Sequence, residues 1–189
     1  ALGIERKFVA PREMVSRVIV SLATNWGAML IGEPGTAKSW LSELIACGVS
    51  GQSRLTIQGG TISHYRQLIY DWNTSLLDKL GPCREALIPG PLFIGMEQGK
   101  LVRFEELARC PQLVQDALLS ILSERQLQIP ELQGEDGVLY AREGFNVIAT
   151  SNSLDRGLFD MSAALKRRLN FETIEPIDDI DAEMDIVLR

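Results

Sequence analysis

The stretch that decides the fold is Gly32-Glu33-Pro34-Gly35-Thr36-Ala37-Lys38-Ser39. An apolar run, residues 26–31, precedes it, and a helical pattern, residues 40–45, follows it. The order strand, glycine turn and helix is typical of a phosphate-binding loop, because backbone N–H groups and the positive end of a helix dipole then point at the same anion. The strict pattern is G-x-x-x-x-G-K followed by S or T, and only its second glycine is replaced, by Ala37. We therefore predict that Lys38 contacts the β/γ-phosphates of a nucleotide and that Ser39 holds Mg²⁺.

Length and composition indicate one soluble domain. The chain has 189 residues, 46% of them hydrophobic, yet its apolar runs stay below the roughly 18 residues needed to span a bilayer. We expect a cytoplasmic protein that does not associate with membranes. The three cysteines are far apart and lack C-x-x-C spacing, which favours reduced thiols over a disulfide framework or a zinc site.

The negative charge is concentrated at the end of the chain. The formal net charge is −6, and residues 170–189 carry seven acidic side chains against the single Arg189, so the preceding residues are neutral overall. This distribution leaves no broad basic face, and no nucleic-acid partner is expected. The acidic end is most simply a solvated helix start or a linker.

Apolar periodicity predicts strands that alternate with helices. We predict a helix after Pro11 and another from Pro111 whose core face includes Leu113 and Leu118, and the spacing favours a further helix over residues 65–77. Two segments, residues 85–93 and 126–141, are predicted hairpin insertions. Five strand candidates (residues 26–31, 55–57, 100–104, 145–150 and 171–174) separated by helices indicate a mostly parallel sheet in a three-layer α/β sandwich.

Polar residues follow the strands at their carboxyl ends, where open α/β sheets bind ligands. Glu105 and Glu106 end the third strand and Asn152 ends the fourth, while Arg167 and Arg168 precede the fifth. Nucleotide hydrolysis needs carboxylates for the metal shell and for the attacking water, a donor that orients that water, and a cation for transition-state charge. Each residue also has an ordinary explanation: glutamates that favour a helix dipole, an Asx turn, or arginines at a solvated helix end. Their order after a phosphate loop favours the chemical interpretation.

On these residues the chain resembles an AAA+ ATPase of the MoxR-like group in the helix-2-insert clade. Residues 32–39 resemble its Walker A motif, and residues 101–106 resemble its Walker B motif, with Glu106 as catalytic base and Glu105 at the metal-associated position. Residues 88–93 resemble the segment after the helix-2 hairpin, and residues 126–144 the hairpin before sensor 1. Asn152 matches the sensor 1 residue; Arg168, with Arg167 beside it, matches the arginine finger.

The resemblance implies an ATP- and Mg²⁺-dependent P-loop NTPase core over residues 1–176, with residues 177–189 as the start of a truncated helical lid or a linker. It also implies a homo-oligomeric ring, hexameric by analogy with that group, which remodels a protein client. Proteins with von Willebrand A domains are common partners in that group. The expected nucleotide-binding residues are those of the phosphate loop and the next position: Gly32, Glu33, Pro34, Gly35, Thr36, Ala37, Lys38, Ser39 and Trp40.

Two other functions stay open at the level of sequence. Glu105 is one methylene longer than the aspartate usual at its position, and Arg103 places a charge in a strand expected to be buried. A nucleotide-dependent scaffold or switch with weak hydrolysis would fit both departures. A small P-loop kinase is the second alternative, although two hairpins and the arginine pair argue against it.

Overall fold

The computed structural model describes residues 12–153 and 161–176, together with Ile4, Phe8 and Met184. Its helices are α1 Arg12–Leu22, α2 Lys38–Ser50, α3 Thr74–Leu80, α4 Pro91–Gln98, α5 Gln112–Glu124 and α6 Ala163–Lys166. Its strands are β1 Gly27–Gly32, β2 Thr56–Gln58, β3 Tyr70–Trp72, β4 Leu87–Pro89, β5 Leu101–Glu105, β6 Gln126–Gln128, β7 Val138–Tyr140, β8 Asn146–Asn152 and β9 Leu169–Ile174.

The main sheet is five-stranded and parallel, in the order β2-β5-β8-β1-β9. Each of its members overlaps one of the five predicted strands, with bounds that differ by one or two residues, so the predicted α/β architecture is confirmed. Strand β1 lies between β8 and β9, and Gly32 at its carboxyl end pairs with Asn152 on one side and with Ile174 on the other. The phosphate loop, residues 32–39, therefore leaves the sheet beside the end of β8.

Alternation along the buried strands sends side chains into two separate cores, one on each face of the sheet. Met29 of β1 packs with residues of α4, α5 and α6, including Leu118. Its neighbour Leu30 packs with residues of α1 and α2, including Leu41 and Ile45. Two helical layers thus enclose the sheet, which is the predicted three-layer sandwich.

The predicted helix over residues 65–77 is wrong. The structure has a 3-10 turn at Tyr65–Gln67, then β3, and only then α3, whose Asn73 cap accepts a hydrogen bond from the N–H of Leu76 at 3.2 Å. Strand β3 forms because it pairs antiparallel with β4, with Asp71 opposite Ile88. That partner is distant in sequence, so local periodicity could not reveal it.

The predicted core face of α5 is correct at Leu118 and wrong at Leu113. Leu113 is 59% exposed, whereas Gln115 is buried and its side-chain amide donates to the carbonyl of Cys110 at 3.0 Å. The buried helix face repeats at Val114, Leu118 and Ile121, the spacing of a single helical stripe, and Leu113 lies off that stripe.

The structure has two small antiparallel strand pairs, and they contact one another. The second lies within the predicted residues 126–141, whereas the predicted residues 85–93 do not form a hairpin by themselves: they supply β4, whose partner β3 lies before α3. We call β3–β4 the first hairpin and β6–β7 the second. The hydroxyl of Tyr70 in β3 donates to Glu131, in the loop of the second hairpin, at 2.9 Å. Arg84, between α3 and β4, lies 3.2 Å from the carboxylate of Asp136 at the tip of the second hairpin. The two insertions are therefore joined at two points.

None of the helices in residues 12–153 or 161–176 is long and apolar enough to cross a membrane. The predicted lid or linker, residues 177–189, lies outside the described residues except for Met184.

Candidate functional site

A cavity of about 360 Å³ opens at the carboxyl ends of β1 and β8. The phosphate loop and the start of α2 form one side of it, and the ends of β5 and β8 form the other. Its lining residues are Pro34, Gly35, Ala37, Lys38, Ser39, Glu106, Thr150, Ser151 and Asn152. The predicted phosphate contact, catalytic base and sensor residue thus share one cavity.

Backbone geometry explains the composition of the phosphate loop. Gly35 has φ +88°, a conformation that L side chains rarely adopt. At Gly32 a Cβ atom would lie 2.4 Å from the carbonyl oxygen of Ile174, so only glycine fits beside β9. Ala37, which immediately precedes α2, has φ +58° and ψ +28°, so the replaced glycine of the motif is one that requires the left-handed region.

This strain at Ala37 leads to a stability prediction. Ala37 is exposed, so Ala37→Gly loses little packing. The glycine variant should raise the free energy of unfolding by about 0.5–1 kcal/mol, because it removes the cost of the left-handed conformation, and this gain exceeds the cost of the extra entropy of glycine in the unfolded chain. Ala37→Val, the matched control, should destabilise the chain by about 1–3 kcal/mol, since a β-branched residue fits this region poorly. Urea unfolding measures both, and a glycine variant less stable than wild type would contradict the strain argument.

Lys38 is buried against its own loop. Its ammonium donates to the carbonyl oxygens of Gly32 at 3.1 Å and Glu33 at 2.6 Å, and to the hydroxyl of Thr36 at 3.3 Å. Helix α2, thirteen residues long, begins at Lys38 and presents its N-terminus to the cavity. A positive charge and the positive end of a helix dipole at one place favour a phosphate ligand.

The residues at Ser39 fit a magnesium ion. The Ser39 hydroxyl donates to Glu105 Oε2 at 2.7 Å and borders the cavity, so its lone pairs are free to face a cation while its proton points away from it. Among the described residues no cluster of three or more His, Cys, Asp or Glu side chains could hold a metal ion by itself. Mg²⁺ commonly binds with few protein ligands plus water and substrate phosphates, which suits this arrangement.

Glu105 lies behind Ser39 and is held by four hydrogen bonds. Oε1 accepts from Ser42 at 2.8 Å and from Arg103 at 2.9 Å, while Oε2 accepts from Ser39 and Thr150, both at 2.7 Å. Burial alone would raise the pKa of Glu105, but these hydroxyl donors and the charge of Arg103 together hold the pKa below its usual range. The side chain is thus an ionised carboxylate that orients the Ser39 hydroxyl, and Glu105, which the sequence places at the metal-associated position, does not itself line the cavity.

Arg103 is buried, as the sequence predicted for its strand, and the carboxylate of Glu105 neutralises its charge. The guanidinium donates to Glu105, to the Ser42 hydroxyl at 3.0 Å and to the Ser39 carbonyl at 3.0 Å. Its fork geometry therefore ties β5 to the first turn of α2, which a single ammonium could not do. The longer Glu105 side chain is part of the same network, since it spans from β5 to hydroxyls on α2 and β8.

Glu106 and Asn152 border the cavity from neighbouring strand ends. Glu106 has φ +55° and ψ +46°, and one of its carboxylate oxygens accepts from Arg109 at 3.1 Å. Asn152 ends β8 opposite Gly32, and the next residue, Ser153, donates its N–H to the Gly32 carbonyl at 3.0 Å. A carboxylate and an amide thus face the place where a nucleotide's outer phosphates would lie.

Arg167 and Arg168 lie at the other end of the sheet. The Arg168 carbonyl accepts from the N–H of Gly27, at the start of β1, and its guanidinium donates to the Ser123 hydroxyl at 3.0 Å. About 16 Å of strand separates Gly27 from Gly32. Neither arginine belongs to the cavity of its own chain, so any role there would require a neighbouring subunit.

Four of the predicted nucleotide-binding residues do not line the cavity: Gly32, Glu33, Thr36 and Trp40. The first three accept hydrogen bonds from the Lys38 ammonium. Trp40, in the first turn of α2, is 47% exposed. The sequence reasoning missed Thr150 and Ser42, which complete the hydrogen bonds of Glu105. Hydroxyl residues inside an apolar strand and on a buried helix face were the available signal.

Comparison with known proteins gives a family match and curated relatives. The sequence model of the AAA domain (dynein-related subfamily) matches residues 27–169. The chain is 56% identical over 187 residues to YehL, an uncharacterized protein of Escherichia coli (strain K12), covering 99% of this chain and 52% of YehL. It is 25% identical over 174 residues to the gas vesicle ATPase GvpN1 of Halobacterium salinarum, covering 84% of this chain and 49% of GvpN1.

Solved structures share the fold. A candidate ATPase from Cytophaga hutchinsonii matches with a TM-score of 0.69 at 20% identity, over 98% of this chain and 52% of that one. NtrX from Brucella abortus, crystallised with ADP, matches with a TM-score of 0.58 at 16% identity, over 89% of this chain and 37% of that one.

Fold and site together define a P-loop nucleotide-binding protein. The chain belongs to the AAA family, whose model covers most of it. It spans about half the length of the curated relatives that it matches.

Proposed function

We propose that this chain is the ATP-binding and ATP-hydrolysing core of a MoxR-like AAA+ protein of the helix-2-insert clade. The observation that carries the proposal is that Lys38, Ser39, Glu106 and Asn152 border one cavity. Each has the chemistry that phosphoryl transfer to water requires, and they come from the elements on which the sequence resemblance placed them.

Within this proposal each side chain has a different role in binding or hydrolysis. Lys38 and the N–H groups of α2 bind the phosphates, and Ser39, oriented by Glu105, would hold Mg²⁺, which supplies charge neutralisation on the phosphate oxygens when bound. Glu106 accepts the proton of the attacking water, and Asn152 orients that water or the γ-phosphate.

The assembly proposal is a homo-oligomeric ring, hexameric by analogy with the MoxR-like group, that remodels a protein client such as a von Willebrand A domain protein. Its structural support is the position of Arg168, which lies at the sheet end away from its own cavity and could serve a neighbour's. The two joined hairpins would supply client contacts, since loops on a rigid scaffold commonly carry binding function.

A switch that binds ATP and barely hydrolyses it is the second candidate. The contact of Glu106 with Arg109 favours it, because an attacking water would have to share that carboxylate with the guanidinium. Turnover compared with nucleotide affinity in the full-length protein separates the two functions.

Lys38→Ala is expected to weaken ATP binding by about 100-fold or more, since it removes the principal point charge at the phosphates. Isothermal calorimetry at fixed Mg²⁺ measures this effect. Lys79→Ala is the matched control, because it removes the same group from an exposed position on α3. Near wild-type affinity in Lys38→Ala would overturn the assignment of the phosphate loop.

A further inference from the structure

Thr150 connects the two glutamates of the site through a single hydroxyl group. Its side chain is buried in β8; Oγ1 lies 2.7 Å from Glu105 Oε2 and 3.2 Å from the backbone nitrogen of Glu106. The directions of these bonds are fixed by chemistry, because a backbone N–H can only donate and a carboxylate can only accept. The hydroxyl therefore donates to Glu105 and accepts from Glu106.

The Glu105 end of this connection is rigid. The carboxylate also accepts from Ser39, Ser42 and Arg103, so it is fixed from α2 and from β5 as well as from β8. A proton donated to an immobile acceptor fixes the rotation of the hydroxyl that donates it. Consequently the lone pairs of Thr150 point in a set direction, toward the N–H of Glu106.

The backbone of Glu106 must be held in place by its neighbours. Its backbone is in the left-handed region, which a glutamate adopts only when its surroundings hold it there. On the other side Gly59 packs so closely that a Cβ atom at that position would lie 2.3 Å from the Glu106 carbonyl oxygen. The peptide units on either side of the Glu106 Cα are thus fixed by Thr150 and by Gly59, and these units set the direction of the side chain.

We propose that Thr150 is a positioning residue that aims the Glu106 carboxylate into the cavity by holding the Glu106 N–H against the fixed Glu105. The proposal rests on the proposed function, in which Glu106 is the catalytic base. Thr150 acts through Glu106, since its only proton and one of its lone pairs are engaged by the two glutamates.

The test compares Thr150→Val, which keeps the shape and removes the hydroxyl, with Thr150→Ser, which keeps the hydroxyl. In the full-length protein Thr150→Val should lower kcat for ATP by about 10–100-fold, because small misplacements of a catalytic group cost that much, with KM nearly unchanged. Thr150→Ser should stay within a few-fold of wild type. An equal loss of kcat in both variants, or no loss of kcat in Thr150→Val while wild type is active, overturns the role of Thr150 and leaves the proposed function intact.

A double variant separates positioning from general structural damage. If Thr150 works through Glu106, Thr150→Val added to Glu106→Gln should slow turnover little beyond Glu106→Gln alone, because the effects of residues that act as a unit are not additive. Fully multiplicative effects would overturn the inference. Wild type that neither binds nor hydrolyses ATP would overturn the proposed function itself, and with it this role of Thr150.

Amide hydrogen exchange by NMR tests the geometry without nucleotide. The Glu106 amide should be protected in wild type and in Thr150→Ser, and should exchange faster in Thr150→Val. If Thr150→Val fails to fold, the wild-type measurement still decides, because rapid exchange of the Glu106 amide in the folded chain contradicts the hydrogen bond to Thr150.

Discussion

Glu106→Gln is expected to bind ATP with near wild-type affinity and to hydrolyse it about 10²–10⁴ times more slowly. The substitution removes the group that accepts a proton from the attacking water, while Lys38, Ser39 and the N-terminus of α2 stay in place. Affinity is measured by calorimetry and turnover by phosphate release in the full-length protein.

Glu143→Gln is the matched control for this prediction. It makes the same chemical change at an exposed position just before β8, outside the cavity. Turnover should then equal that of wild type. A Glu106→Gln protein that hydrolyses ATP at the wild-type rate would show that another group, or water alone, serves as base, and would contradict the role proposed for Glu106.

Arg168→Ala is expected to bind ATP normally and to reduce kcat by about 10³-fold or more, the usual contribution of an arginine finger. The reason is geometric: within one chain Arg168 is a strand's length away from the cavity, so it can affect hydrolysis only at a neighbour's site. Arg167→Ala, one residue away and exposed at the end of α6, is the control with the smaller expected effect.

Mixing variants tests whether subunits share sites. Neither Arg168→Ala nor Glu106→Gln should turn over ATP alone, but a mixed ring contains junctions that pair an intact Glu106 with an intact Arg168 from the adjoining chain. Partial recovery of turnover supports a ring with shared sites. Turnover that is indifferent to Arg168, or that a monomer retains in full, would contradict it.

The sequence predicts the sheet and residues on both sides of the cavity well. A glycine turn between an apolar run and a helix is a local pattern, and parallel strands bring their carboxyl ends together, so Lys38, Glu106 and Asn152 could be placed in one site from their spacing alone. Ala37 is instructive, because the motif predicts a glycine there and the structure gives the reason in its positive φ.

Contacts between residues distant in the sequence could not be predicted from local patterns. Strand β3 exists because β4 pairs with it, so a helical spacing around Trp72 was misleading. From the sequence, the charge of Arg103 conflicts with burial of its strand. The structure resolves this conflict, because Glu105 and Ser42 come together around Arg103 when α2 packs on β5. The sensor 1 resemblance includes Thr150 but predicts a role only for Asn152, and the importance of Thr150 comes from two hydrogen bonds that depend on the register of β8.

The contacts of Lys38 bear on which anions the site selects. The ammonium donates to the carbonyl oxygens of Gly32 and Glu33, so an incoming anion would have to compete with these internal acceptors. A lone inorganic phosphate would offer few contacts to offset their loss. A polyphosphate would reach the ammonium and the N–H groups of α2 together, so we expect the loop to discriminate by ligand length as well as by charge.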